Sequence, residues 1–150
     1  MEQQQSPLVK QLGMDKHVEG GWYKEVWKAS YKIPKEVLGP EYSGARAAAS
    51  STYFLLHPGE VSEWHVVLSD ELWLYHSGGP VELTLGGSEK NPEEGEKIII
   101  GMDIENGQQP QALVPAKVWQ TAKALTDEPA FVTCIVAPAF HFDDFTLIEK

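Results

Sequence analysis

From residue 22 onward the chain breaks into short runs rich in β-branched and aromatic residues. Each run is closed by a turn-forming cluster, and the runs recur about every 8–12 residues. Such a rhythm, kept up over a whole chain, points to a sandwich or barrel. The runs lie at 22–31, 50–56, 63–68, 71–76, 81–85, 97–102, 111–114, 118–125, 130–136 and 140–148. The turn His57-Pro58-Gly59, a loop over 32–44 holding Pro34, Gly39 and Pro40, and an acidic loop over 88–96 separate them. Residues 118–125 also allow a helical turn, because Ala122, Lys123, Ala124 and Leu125 favour helix. One helix precedes the strands: Ser6 can cap it, Pro7 suits its first turn, Leu8, Val9 and Leu12 form its apolar side, and Gly13 stops it. An all-β domain with a short N-terminal helix is the expected class.

At 150 residues there is room for one core and no second domain. The formal charge is −10, from 22 acidic against 12 basic residues, with Arg46 the only arginine. That balance supplies no basic footprint for nucleic acid and disfavours anchoring on anionic lipid. No apolar run approaches the roughly 18 residues of a membrane span, and the opening residues lack the regions of a signal peptide. The single cysteine, Cys134, excludes an internal disulfide and a cysteine-based zinc cluster, and a buried apolar role is expected for it. The expectation is a soluble cytoplasmic protein with no nucleic-acid or membrane partner.

The densest cluster of chemistry runs from Gly59 to Gly78: a glycine, five residues, His65, five residues, Glu71, six residues, and a glycine. This resembles the first cupin motif, G-x5-H-x-H-x3–4-E-x6-G, with Val67 standing where the second histidine belongs. His65 lies on one strand and Glu71 opens the next, so the two can converge on one bound atom. By strand alternation Glu71, Trp73 and Tyr75 share a face, expected to be the barrel interior. The second cupin motif, G-x5-P-x-G-x2-H-x3-N, is met by Pro115, but Lys117 replaces its glycine, Gln120 its histidine, and Gly107 lies two residues too early. Longer stretches at 18–25, 51–56, 64–73, 110–120 and 136–145 are similar to one cupin family, Cupin_5 or DUF985.

The resemblance implies a double-stranded β-helix, a jelly-roll-like barrel, as a single cupin domain over 1–150. About 1–15 would form the helix and arm, and about 18–150 the barrel. It further implies a homodimer resembling sugar epimerases and seed-storage cupins, and names no substrate. As catalytic candidates we take His65 as a base, Tyr23 as an acid and Glu71 as the group that orients His65. Burial of Glu71 beside Trp73 and Tyr75 would raise its pKa toward neutrality. Candidate binding residues are Glu25, on the same strand face as Tyr23 and Trp27, with Thr52, Trp73, Tyr75, Gln120 and Phe140. Arg46 is the natural bidentate partner of a carboxylate or phosphate; its alternative is a structural salt bridge. His17 and His57 are expected in loops, with His76 and His141 facing outward.

Three functions stay open. The first is a small-molecule cupin holding a polar, sugar-like or carboxylated compound, acting as an epimerase or isomerase by acid–base chemistry. The second is a metal cupin with Fe, Mn, Ni or Zn at His65, Glu71 and Gln120, imidazole and carboxylate being suitable ligands for these ions. The third is a non-catalytic ligand-binding or sensor module.

Overall fold

A computed structural model describes residues 5–149. Helix α1 (Pro7–Leu12) forms as its sequence dictates: the Ser6 hydroxyl accepts from the Leu8 amide, and Gly13 turns left-handed at φ 66° to end it. The strands that follow are β1 (Asp15–Lys16), β2 (Trp22–Lys28), β3 (Lys32–Ile33), β4 (Arg46–Ala47), β5 (Ser50–Leu56), β6 (Val61–Val67) and β7 (Asp70–Gly78). Then come β8 (Val81–Leu85), β9 (Lys97–Ile100), β10 (Gln111–Val114), β11 (Gln120–Ala124), β12 (Ala130–Ala137) and β13 (Phe145–Leu147). A helical turn, α2 (Lys35–Leu38), lies inside the expected 32–44 loop.

Two antiparallel sheets make the double-stranded β-helix. The first has the order β1-β2-β5-β12-β7-β10 and the second β13-β6-β11-β8-β9; β3 and β4 pair separately. One core joins the sheets: Phe54, Trp73 and Val132 from the first pack with Val81, Leu83 and Ile100 from the second. Alternation of buried and exposed residues along β10 follows from one face meeting this core and the other meeting water.

The expected strand within 118–125 is present as β11, across Gln120–Ala124, where pairing on both sides, with β6 and β8, outweighs helix propensity. Two local expectations change. Strand β2 is shorter than 22–31 and bulged. Glu25 pairs with Thr52 but Trp27 pairs with Ser51, so Val26 is an extra residue and Trp27 turns away from the Tyr23–Glu25 face, 52% exposed. The expected 140–148 strand is split by a 3-10 turn at Phe142–Asp144, with only Phe145–Leu147 in the sheet.

Candidate functional site

The register of the first sheet builds the site in rungs. On its inner face Glu25, Thr52, Cys134 and Trp73 lie side by side across β2, β5, β12 and β7. One step along, Val136 pairs with Glu71; one step the other way, Tyr23 pairs with Phe54. These residues wall a cavity of about 270 Å³ between the sheets. His65 and Val67 of β6 face them from the second sheet, and Phe140 and Phe142 stand at the mouth. Tyr75 is on the inner face too, at the β7 end of the rung that carries Tyr23, Phe54 and Val132, where it packs against the core. It does not line the cavity, and its hydroxyl donates to the Gly78 carbonyl.

Two residues not assigned to the site from the sequence complete the wall: His17, in a turn as expected, and Glu19, both between β1 and β2. Gly20 makes their position possible. Its φ is 108°, and a Cβ there would stand 2.0 Å from the Val61 carbonyl oxygen, so only glycine lets this turn press onto β6. The Glu63 amide donates to the Glu19 carbonyl at 2.7 Å, and the Ser62 hydroxyl donates to Glu19 Oε2. A buried carboxyl thereby lies between two imidazoles. Nε2 of His65 is 3.5 Å from Oε2 of Glu19, and Nδ1 of His17 is 3.2 Å from its Oε1.

His65 is held in a defined tautomer. Its Nδ1 is 2.8 Å from the Glu63 carbonyl, which can only accept, so Nδ1 carries the proton and the neutral ring turns a basic Nε2 toward Glu19, itself a cavity-lining residue. Burial lowers the His65 pKa below its ordinary 6.5, against the opposing pull of Glu71, and burial lowers that of His17 likewise. Burial raises both Glu19 and Glu71 above the ordinary 4.5. The Cys134 thiol, buried beside Glu71 and hydrogen-bonded to it, is pushed well above its ordinary value and stays protonated, as expected of an apolar wall residue.

Several expected roles are relocated. Glu71 lines the cavity but is bonded to Gln120 and Cys134, while the Glu63 backbone does the orienting of His65. Gln120 is fully buried behind that wall, its Nε2 donating to Glu71 at 3.0 Å and its Oε1 accepting from the Trp73 indole at 2.9 Å, so it does not reach the cavity. Arg46 is also elsewhere. Its Nε and Nη2 clasp Asp144 at 2.8 and 2.7 Å, both side chains 5% exposed, which realises the structural alternative: the buried guanidinium is neutralised by a buried carboxylate of the 3-10 turn. Tyr23, Glu25, Thr52, Trp73 and Phe140 do line the cavity. His57 is in a turn but buried, accepting from the Ser6 amide.

The donor set does not fit a metal ion. Val67 offers no donor, both ends of the Gln120 amide are engaged, and among the described residues no three His, Cys, Asp or Glu side chains are placed to hold one. The second motif is nonetheless visible in the backbone. Lys117, at its glycine position, has φ 67°, the left-handed conformation that position demands. No helix among the described residues is long and apolar enough to cross a membrane.

Comparison with known proteins agrees with the geometry. An uncharacterized protein of Saccharomyces cerevisiae, YML079W, is 24% identical over 155 residues, covering 95% of this chain and 74% of its own. The solved structure of protein SO0799 from Shewanella oneidensis is 32% identical with TM-score 0.82, covering 97% of this chain and 86% of its own. A hypothetical protein from Leishmania major is 28% identical with TM-score 0.81, covering 94% and 85%. Residues 6–148 match Cupin_5, and the chain belongs to that family of the cupin superfamily, DUF985.

Proposed function

We propose that the cavity binds a small polar carbonyl compound and moves a proton on it, as an isomerase or epimerase does. The observation that carries this reading is the fixed tautomer of His65, with Nδ1–H tied to the Glu63 carbonyl and Nε2 free of any strong donor at the cavity wall. Nε2 takes the proton from the carbon next to the carbonyl, and the C–H electron pair becomes the enolate. The imidazolium so formed is stabilised by Glu19, 3.5 Å away, together with the charge of Glu71. Tyr23 stands on the opposite sheet, so a carbon held between the walls can lose its proton to His65 and regain one from the Tyr23 phenol on its other face. Glu71 and Thr52 supply acceptors for the substrate's polar groups, with Trp73, Phe54 and Phe140 packing its apolar faces.

Solvent-deuterium uptake into a panel of keto-sugars tests this. Uptake by the wild type, lost in His65→Ala with folding intact, is the expected result; uptake unchanged in His65→Ala rules His65 out as the base. The reading includes a homodimer in the cytoplasm, supported by the exposed apolar residues Val26 and Trp27 on β2 and checked by sedimentation equilibrium.

A further inference from the structure

Every cavity wall that touches a ligand also sets which charges it admits. Here the lining contains three carboxyls, Glu19, Glu25 and Glu71, and two imidazoles whose burial keeps them neutral, but no lysine and no arginine. The one arginine is spent on Asp144, in a buried clasp outside the cavity. Lys28 lies 3.6 Å from Glu25, but it is half-exposed, paired with that carboxylate, and not part of the lining. An anionic group entering this space would lose its water beside three carboxyls, with neutral hydroxyls and imidazoles but no cation to offset it, which is a costly transfer.

The same wall suits hydroxyl groups. Glu19 and Glu71 accept hydrogen bonds, Thr52 and Tyr23 both donate and accept, and the rings of Trp73, Phe54 and Phe140 offer flat faces to C–H groups. Size narrows the choice further: about 270 Å³ is below the roughly 300–1,000 Å³ range of drug-sized pockets. We infer that the cavity selects an uncharged, hydroxyl-bearing carbonyl compound of about one sugar unit, and excludes carboxylates and phosphate esters from its interior. This deepens the proton-transfer reading and names its substrate class; it sets aside the carboxylated ligand considered from sequence.

The test is a matched trio of probes on the full chain: D-fructose, D-fructose 6-phosphate and 2-keto-D-gluconate, with other neutral keto- and aldo-sugars alongside the first. Binding is read by ligand-observed NMR, which needs no turnover. The expected result is binding of a neutral sugar, with the phosphate ester and the keto acid at least tenfold weaker. Glu25→Arg, which puts a cation at the mouth, should narrow that gap several-fold. Equal or tighter binding of either anion overturns the inference, and so does failure of every neutral sugar to bind at tens of millimolar. Deuterium uptake, measured separately, keeps the two ideas apart. A neutral sugar that binds without exchange removes proton transfer and leaves the ligand class standing; exchange into an anionic compound does the reverse.

Discussion

The Gln120 side chain bridges two residues of the cavity wall, donating to Glu71 and accepting from the Trp73 indole. The amide orientation is thereby fixed, since only this way round do both bonds form. Gln120→Leu keeps similar bulk but leaves a buried indole N–H and a buried carboxyl each short of a partner. We expect a loss of about 2–6 kcal/mol of stability, from about 1–3 for each unsatisfied group, measured by urea unfolding. A loss under about 1 kcal/mol means the amide is not holding the wall.

Burial of Glu71 makes stability depend on pH in a defined direction. Its folded pKa is raised above the ordinary 4.5, so its contribution is fully present below that value and is lost as pH climbs through the raised one. At neutral pH the buried carboxyl therefore costs stability relative to its unfolded state. Glu71→Gln removes that cost: its melting temperature should exceed the wild type's at pH 8 by a few degrees, and the advantage should vanish near pH 4. Equal melting temperatures at both pH values would contradict a buried carboxyl.

The histidines act in the opposite sense. His17 and His65 have lowered folded pKa values, so their contribution is present above 6.5 and is lost as pH falls below it, when the unfolded chain binds protons that the native cavity refuses. For catalysis the same burial keeps Nε2 of His65 basic in mild acid. The acidic limb of kcat/KM for an exchanging sugar should fall below pH 6.5; a limb above 6.5 assigns the base to another group.

Arg46 and Asp144 tie the β4 strand to the 3-10 turn behind Phe142. Arg46→Ala leaves Asp144 buried without its cation, which should cost roughly 3–5 kcal/mol. The double variant Arg46→Ala/Asp144→Ala should recover part of that loss, which thermal or urea unfolding will show. Ligand affinity should fall in the single variant as well, because Phe142 at the mouth loses its anchor. A single variant as stable as the wild type would show the clasp to be idle.

Much of the architecture was legible because strands obey a period of two and turns carry their own residues. The alternation that put Glu71 and Trp73 on one inward face is the same alternation that places Tyr23 and Glu25, and the structure keeps both pairs on the cavity. Tyr75 shows its limit: period gives the face but not which strand of a rung borders open space, since Tyr23 and Phe54 of its own rung line the cavity while Tyr75 packs against the core. Trp27 was misplaced because a bulge at Val26 shifts parity by one, and no residue there announces it. Cys134 and Val136 become visible as wall residues only when the partner strands are known, since their inward face is set by pairing with Trp73 and Glu71. His17 and Glu19 lie in a turn, where no period exists; the one available signal was Gly20-Gly21, a backbone able to press against a neighbouring strand.

The cavity is a meeting of the two ends of the chain. His17 and Glu19 reach it from before the first long strand, and Phe140 and Phe142 from after the last, while the sheets between supply floor and sides. A nascent chain that has already paired β2 with β5 still has an open trough until residues near 140 leave the ribosome. A filled cavity, in turn, pins both ends at once. Amide hydrogens around 17–20 and around 142–146 should therefore slow their exchange together when ligand is added, as one coupled unit rather than two separate loops.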